Sequence, residues 1–186
     1  MPPKVRITKE EILRTALEIV RQEGVQALNA RNVAAALGCS TQPVFSNFAA
    51  MEQLHLAVAQ QATCLVEALI RQEVESGKYP PYKASGMAYI RFAKEERELF
   101  KLLYMCDREG ATVPERSELN RAMETLVHQN TGLSGDGAQL FHLEMWAFVH
   151  GIATMFATNF LDMDWELVSN MLTDAYLGLR KRYGME

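Results

Sequence analysis

Apolar residues recur along this chain at the three- and four-residue spacing of helices that bury one face. In the first segment, Ile12, Ala16 and Ile19 follow this spacing behind Thr8 and Glu11, which stand three apart as in a capping box. No stretch shows sustained alternation of apolar and polar positions, so we predict no sheet. The pattern predicts an all-α protein of about nine helices.

Glycine, proline and short polar loops set the expected helix bounds. Helices are predicted at about 8–23, between Asn29 and Gly38, over Pro43–Phe48 with Ser40 or Gln42 as cap, and at about 51–76, 83–94, 96–106, 115–130 and 138–160, followed by a ninth that is capped by Asp162 or Asp164 and ends near Tyr183. Pro43 is tolerated only in a first helical turn, so the third helix starts a residue or two after Ser40.

Composition is that of a globular protein: 48% of the 186 residues are apolar and 23% are charged. Three cysteines without a Cys-x-x-Cys spacing argue against a disulfide framework or a zinc site, and favour a reducing cytoplasm. The first residues lack the apolar region of a signal peptide, so none is expected. The longest apolar run, Met145–Ala157, is shorter than the roughly 20 residues of a membrane span and predicts a buried helix.

Charge is distributed unevenly along the chain, which carries a net −4. Residues 1–55 hold six basic and five acidic residues, and residues 56–186 hold 13 basic and 18 acidic ones. From Gly24 to Met51 the only charged residue is Arg31. A polyanion can approach such a neutral, polar stretch without repulsion, although a small-residue helical hairpin has the same composition.

The segment from Asn29 to Leu54 contains two short predicted helices joined by a turn at Gly38, which is the pattern of a helix-turn-helix. In that motif, the first residues of the second helix meet base edges in the major groove. Here they are short hydrogen-bonding residues: Ser40, Thr41, Gln42, Ser46 and Asn47. Gln42 and Asn47 are side-chain types that pair with adenine. An ordinary helical hairpin with its polar residues facing outward is the alternative interpretation.

These residues resemble a known family. The runs Leu28–Ser40, Val44–Phe48 and Met51–Leu54 are similar to the N-terminal domain of TetR-family repressors, and Trp146–Gly151 is similar to a Trp-x-x-x-His-Gly run of one C-terminal subtype. The resemblance implies an all-helical homodimer with a DNA-binding domain at residues 1–50 and an effector-binding and dimerisation domain at residues 51–186. It also implies a near-palindromic DNA operator and a repressor released by a small effector.

Three positions depart from the family pattern. The family usually has Tyr at Phe45, His or Tyr at Asn47, and Lys at Met51. Fewer phosphate contacts imply weaker or less salt-sensitive DNA binding, because such contacts supply much of the affinity. The DNA-binding residues are expected to be Lys4, Arg6, Asn29, Arg31, Ser40, Thr41, Gln42, Phe45, Ser46 and Asn47.

The last two predicted helices carry matching stripes that suggest a dimer interface. Ala147, Gly151, Thr154 and Thr158 form a stripe of small residues on the eighth helix. The ninth helix offers an apolar stripe of Trp165, Val168, Leu172, Ala175 and Leu179. We expect the helices at about 138–160 and 164–183 to form half of a four-helix dimer interface. Packing of both stripes inside one chain is the alternative.

Aromatic residues and methionines of the C-terminal half are suited to line the effector pocket that the resemblance implies, and such a lining favours a mostly apolar ligand. Packing in an ordinary hydrophobic core is the alternative for each of them. The candidate ligand-binding residues are Tyr89, Phe92, Leu103, Met123, Trp146, His150 and Met155. His142 and His150 have no further ligands at metal-binding spacing, so we expect no metal and no cofactor.

Three function classes are compared with the sequence. A ligand-responsive DNA-binding regulator fits the motif, the charge distribution and the family resemblance. A helical ligand- or protein-binding module with weakened or lost DNA binding fits the departures at Phe45 and Met51. An enzyme fits worst, because we find no Ser-His-Asp grouping, no glycine-rich phosphate loop and no paired carboxylates in an apolar helix.

Overall fold

The structure, a computed structural model, describes residues 7–106 and 118–185. Nine α-helices, one short 3-10 helix and no strand are found in these residues, which confirms the predicted all-α class. The helices are α1 Lys9–Glu23, α2 Ala30–Ala36, α3 Gln42–Asn47, α4 Met51–Glu75, α5 Pro81–Glu95, α6 Arg97–Tyr104, α7 Glu118–Thr131, α8 Gly135–Ala157 and α9 Trp165–Arg182.

Side-chain caps begin three of these helices as the sequence predicted. The Thr8 hydroxyl accepts from the Glu11 backbone N–H at 3.1 Å, and the Glu11 carboxylate accepts from the Thr8 N–H at 2.8 Å, which completes the capping box. Asn29 accepts from the N–H of Asn32 at 3.0 Å to cap α2. Asp164, one of the two candidates for α9, accepts from the N–H of Leu167 at 2.8 Å.

Other predicted ends are wrong by a few residues. Neither Ser40 nor Gln42 caps α3, because the cap position is Thr41 and its side chain makes no capping hydrogen bond. Helix α8 ends at Ala157 rather than near residue 160, because Asn159 adopts a left-handed conformation with φ 56°. The 3-10 helix Val25–Ala27 was not predicted, and the predicted start of α7 at residue 115 lies outside the described residues.

The chain divides into two compact units. The first consists of Met1–Leu65 and Glu96–Cys106, and the second of Val66–Glu95 and Asp107–Glu186. Helix α6 therefore belongs with the N-terminal helices, although it follows α5 directly along the chain. The functional division at residue 50 stays a prediction.

In the first unit, α1 packs against α2, α3 and α6. Its buried face of Ile12, Ala16 and Val20 has no solvent exposure. At the end of α1, the Arg21 guanidinium donates to Glu96 at 2.7 Å and to Glu18 at 2.8 Å. Gly24 follows with φ 84°, and a Cβ there would stand 2.9 Å from a carboxylate oxygen of Glu98. The end of α1 and the start of α6 are thus joined by charge and close packing.

In the second unit, α5 packs against α7, α8 and α9. A Cβ at Gly86 would stand 3.1 Å from Leu172 and 3.4 Å from Val149, so glycine lets the three helices approach closely. Val168 and Leu172 are 0% and 3% exposed. Ala175 and Leu179 pack on a cluster that includes Phe141 and Met145. The chain itself thus covers Val168 and Leu172, which matches the alternative that this part of the stripe packs within one chain. The dimer interface of the last two helices stays a prediction.

Helix α8 is 23 residues long, and by length and hydropathy it is the one helix of the described residues that could cross a membrane. Eight of its residues are buried, among them Phe141, Val149 and Phe156. This burial accounts for one face of the helix, whereas Leu143, Trp146 and Phe148 are exposed on another.

A nearly buried ion pair links α4 to α5. The Arg91 guanidinium donates to the Glu73 carboxylate at 2.8 Å, and Glu73 is 5% exposed. Removing the cation leaves a desolvated carboxylate without its partner, which costs more than the net value of the pair.

We predict that Arg91→Met lowers the free energy of unfolding by about 1–3 kcal/mol. The matched control is Arg71→Met on the exposed face of α4, which should change stability by about 0.5 kcal/mol or less. Urea unfolding followed by circular dichroism measures both. Equal stability of the two variants would contradict this account of the pair.

Candidate functional site

The turn between α2 and α3 has the geometry that a helix-turn-helix needs. The Cys39 N–H donates to the Ala34 carbonyl at 2.9 Å, and the Gly38 N–H donates to the Ala35 carbonyl at 3.1 Å. This is the hydrogen-bond pattern of a Schellman motif, in which the residue after the helix is left-handed. Gly38 has φ 64°, which explains why glycine stands there. The motif ends α2 abruptly and directs the chain into α3.

The two short helices are held by a small apolar core. Val33 and Val44 have no exposure and Phe48 is 2% exposed. The His55 imidazole on α4 contacts the Leu28 carbonyl at 3.2 Å, just before the cap of α2. Helix α4 thereby fixes the start of the motif in the first unit.

The outward side chains of α3 are partly turned back onto their own helix. The Ser46 hydroxyl donates to the Gln42 carbonyl at 2.9 Å, and the Asn47 amide donates to the Pro43 carbonyl at 2.8 Å. Gln42 is exposed, and the Phe45 ring is 50% exposed. Gln42 and Phe45 are therefore the side chains that α3 presents most openly, with Ser40 and Thr41 in the turn before it.

The predicted cationic contacts are only partly described. Arg31 is exposed on α2, one turn before the Schellman motif. Lys9 lies with its ammonium 5.1 Å from the centre of the Phe48 ring, a cation–π contact that holds it beside the motif. Lys4 and Arg6 lie outside the described residues. No described feature tests the DNA-contact assignments, and they stay predictions.

A second group of polar side chains lies between α5 and α8, in the second unit. The Tyr82 hydroxyl stands 3.0 Å from Nδ1 of His142, and the Tyr89 hydroxyl stands 3.0 Å from Nδ1 of His150. The tyrosines are seven residues apart and the histidines eight, so the two helices run parallel with two matched hydrogen bonds about two turns apart. We call these four residues and Trp146 the tyrosine–histidine cluster.

Trp146 completes the cluster from within α8. Its ring stacks on His150 with centroids 4.8 Å apart and planes at 16°. Trp146 is nevertheless 40% exposed, so it forms the open edge of the cluster. Tyr89 is 7% exposed and forms the closed edge.

Burial controls the protonation of the cluster. It lowers the pKa of His142, although the charge of Glu124 acts in the opposite direction, and it lowers the pKa of His150. It also raises the pKa of Tyr82. Both histidines are therefore neutral at physiological pH, and Tyr82 keeps its proton. The cluster offers neutral hydrogen-bonding groups in an otherwise apolar wall.

The structure brings together three of the seven candidate effector residues: Tyr89, Trp146 and His150. Phe92 and Met123 are buried in the same unit, at 1% and 8% exposure, and Met155 is half-buried on α8. Leu103 belongs to α6 and hence to the first unit. Sequence reasoning missed Tyr82 as a partner of His142. The matched spacing of tyrosines and histidines was the signal available for it.

No three metal-binding side chains come together anywhere in residues 7–106 and 118–185. Cys64 and Cys106 are exposed and Cys39 is half-buried, and all three thiols are free.

A family model described as the tetracyclin repressor-like C-terminal domain matches residues 82–175, which is half of the chain. The chain belongs to the TetR family. The matched region contains the tyrosine–histidine cluster and most of α9. Membership makes this TetR protein a regulator of the DNA-binding, ligand-responsive class and not an enzyme, as predicted, and TetR-like regulators are soluble. The Trp-x-x-x-His-Gly subtype stays a prediction.

Solved structures share the fold over nearly the whole chain. A TetR-like transcriptional regulator from Rhodococcus sp. RHA1 is 16% identical, with TM-score 0.70 over 96% of this chain and 98% of that one. A protein of unknown function from the same source is 24% identical, with TM-score 0.70 over 97% and 98%. A TetR family member from Streptomyces coelicolor A3 is 17% identical, with TM-score 0.63 over 90% and 96%. No curated protein matches the chain.

The buried histidines predict a stability that depends on pH. Their folded-state pKa values lie below the unfolded value, so the unfolded chain binds more protons in acid. The free energy of unfolding should therefore fall as pH drops through about 6.5, the ordinary histidine pKa. Urea unfolding at several pH values between about 5 and 8 measures it.

The control is the variant His142→Gln/His150→Gln. Its amides are uncharged at every pH, so the fall between pH 8 and 5 should be shallower than in the unchanged protein. Two superimposable profiles would show that these histidines do not carry the effect.

Proposed function

We propose that this TetR protein is a homodimeric transcriptional repressor of the cytoplasm that leaves a near-palindromic operator when a small, largely apolar effector binds. The observation that carries the proposal is the combination of two sites in one chain of this family. One is a Schellman-terminated helix-turn-helix with an exposed Gln42, and the other is a neutral polar cluster in an apolar wall.

DNA recognition is assigned to α3 and to the residues around it. Exposed Gln42 is suited to adenine, Arg31 to phosphate, and Phe45 to a thymine methyl group. Short polar contacts with DNA are assigned to Ser40, Thr41, Ser46 and Asn47. Asn29, the cap of α2, is assigned to the DNA backbone. Lys4 and Arg6 are assigned to phosphate or minor-groove contacts of the N-terminal arm.

The homodimer is assigned to α8 and α9. On α8 the exposed residues include Leu140, Leu143, Ala147 and Gly151. The Thr154 and Thr158 hydroxyls donate to carbonyls of their own helix at 2.8 and 2.7 Å, which satisfies them and leaves their methyl groups for packing. An apolar stripe of this length on a helix calls for a covering surface.

The effector is assigned to the tyrosine–histidine cluster and its apolar neighbours Phe92, Met123 and Met155. Because the cluster groups are neutral, it favours an uncharged compound with one hydrogen-bonding group. Trp146, the exposed edge, is the entry side and supplies a flat apolar face. Leu103 belongs to the first unit and is not assigned to this cluster.

Transmission of effector binding to the DNA-binding helices is assigned to α4, which has residues in both units, and to the consecutive helices α5 and α6. Helix α4 spans residues of the first and the second unit, and α6 follows α5 without a loop longer than one residue. Arg21 ties the start of α6 to α1 through Glu96. A displacement of α5 on effector binding would shift the two recognition helices of the dimer from the spacing of about 34–36 Å between successive major grooves. The coupling would weaken DNA binding by about 5–150-fold.

The alternative is a ligand-binding module that has lost DNA recognition. Its support is the half-exposed Phe45 ring in place of a hydroxyl-bearing ring, Met51 in place of a cation, and the inward bonds of Ser46 and Asn47. The two proposed functions are distinguished by whether the purified protein retains any specific DNA sequence at low salt.

Met51→Lys tests the weight of the missing phosphate contact. We expect tighter DNA binding and a steeper dependence on salt, by about one extra phosphate contact per protomer. Gln60→Lys, the same charge on an exposed position of α4 about 13 Å further along, is the control and should have a smaller effect. Fluorescence anisotropy with labelled genomic fragments at about 50–300 mM salt measures both. Identical slopes for the two variants would mean that position 51 does not face phosphate.

The release step is tested with compounds that bind. Small uncharged and charged compounds are screened for a raised melting temperature, and each binder is added to the protein–DNA complex. Tyr89→Phe removes the hydroxyl bonded to His150 and should weaken binding of a true effector, whereas Tyr104→Phe on α6 should not. If DNA affinity is unchanged by every compound that binds, the regulatory proposal fails.

A further inference from the structure

Two side chains near the start of α4 contact the two ends of the helix-turn-helix. Oε1 of Gln53 accepts from the Ala49 N–H at 3.1 Å, just after α3 ends. Nε2 of His55 stands 3.2 Å from the Leu28 carbonyl oxygen, just before the cap of α2. A carbonyl oxygen only accepts hydrogen bonds, so Nε2 of His55 carries a proton and donates. The beginning of α4 therefore holds the motif at both ends.

The Leu28 carbonyl depends on His55 for its hydrogen bond. Leu28 is 4% exposed, and among residues 7–106 and 118–185 no backbone N–H donates to its carbonyl oxygen. A buried carbonyl that loses its donor costs free energy. The contact therefore favours one spacing between α4 and the residue that precedes the cap of α2.

The segment that His55 holds is joined to α2. The Asn29 side chain accepts from the Asn32 N–H at 3.0 Å, and the Asn32 amide donates to the Ala27 carbonyl at 2.8 Å. Residues 27–29 are thereby fastened to the first turn of α2, and the Schellman motif fastens α2 to α3. A restraint at Leu28 thus acts on the recognition helix, although His55 does not touch that helix.

Side-chain contacts of α4 matter because the helix packs less closely than its neighbours. Within the described part of the first unit, the closely packed helix pairs are formed by α1, α2, α3 and α6. Helix α4 is not among them, and from Val66 onward it belongs to the second unit. The hydrogen bonds of Gln53 and His55 are therefore defined links between α4 and the motif.

We propose that His55 is a positioning residue for DNA recognition, which keeps α2 and α3 at the orientation relative to α4 that the major groove requires. It acts through the Leu28 carbonyl, and Gln53 supports it at the other end of the motif. The inference rests on the proposed function and names a residue outside the DNA-contact set on which DNA affinity depends. Side chains that read base edges need to be placed within about 0.5 Å, so a small rotation of the motif weakens specific binding.

Three roles of His55 differ in what they change. A direct phosphate contact would support binding to every sequence and would add to the salt dependence. A role in stability alone would change the melting temperature but not the DNA affinity well below it, because nearly all of the protein is folded there. A positioning role supports binding to the operator and leaves binding to unrelated DNA unchanged.

His55→Phe keeps a ring of similar size and removes the donor. We expect about tenfold weaker binding to the operator fragment recovered by selection from genomic DNA, since each protomer of the dimer loses one hydrogen bond. Binding to a scrambled duplex of the same length, and the salt dependence, should not change. Fluorescence anisotropy with the two labelled duplexes measures both affinities, and circular dichroism melts show whether each variant is folded at the temperature of measurement.

Two amide variants test the hydrogen bond itself. His55→Gln places an amide N–H near the position of Nε2 and should restore operator binding. His55→Asn places its amide near the position of Nδ1, too close to α4 to reach Leu28, and should behave like His55→Phe. The matched control is Thr63→Val, which removes another side-chain bond of α4, from an exposed hydroxyl to the Ala59 carbonyl at 3.0 Å. It should leave both affinities unchanged.

Gln53→Leu removes the second link at an exposed position, so it keeps the test valid if a variant of His55 does not fold. It should also weaken binding to the operator and not to the scrambled duplex.

Each result decides the inference. Selective loss of operator binding in the Phe and Asn variants, with recovery in the Gln variant, supports it. Equal loss on both duplexes with a weaker salt dependence overturns it in favour of a direct contact. Operator binding that no variant changes, or that Gln does not restore, overturns it while the proposed function stands. An unchanged protein that prefers no DNA sequence overturns the proposed function and this inference together.

Discussion

The close packing of α5 against α8 and α9 at Gly86 is the constraint on which the second unit depends. Any larger residue would bring a Cβ within 3.1 Å of Leu172 and 3.4 Å of Val149. The close approach puts the hydroxyls of Tyr82 and Tyr89 within 3.0 Å of His142 and His150. Buried polar groups are costly unless they are paired, so the two hydrogen bonds hold the helices in one register. The tyrosine–histidine cluster is therefore created by the same contact that builds the core.

In the first unit, too, a few contacts fix how neighbouring helices pack. Arg21 bridges Glu18 and Glu96, and this places the start of α6 on the end of α1 beside Gly24. Because α6 follows α5 after one residue, the chain passes directly from the unit with the tyrosine–histidine cluster to a helix that packs on α1. The proposed regulation needs no long pathway. It needs a shift at the α5–α6 junction that this ion pair transmits.

Much of this organisation could be predicted from the sequence because it is local. The capping box of Thr8, the cap at Asn29 and the turn at Gly38 are short-range patterns, and all three are present. The partner of each helix face is not local. The α9 stripe of Val168 and Leu172 has the same pattern whether it packs inside the chain or on a second copy, and only the tertiary fold shows that α5 and α8 cover it. The sequence predicted three residues of the cluster as effector contacts: Tyr89, Trp146 and His150. The Tyr82–His142 pair could not be predicted, because it depends on the parallel register of two helices far apart in sequence.

The central claim is that this protein recognises a specific DNA sequence as a dimer. Selection of sheared genomic DNA from its own source by the purified protein at about 50 mM salt, followed by sequencing of the retained fragments, tests it most directly. The account predicts a short near-palindrome whose half-sites lie about 10 base pairs apart, one turn of the double helix. Retention of no sequence above background, with protein refolded to remove any bound effector, would contradict it.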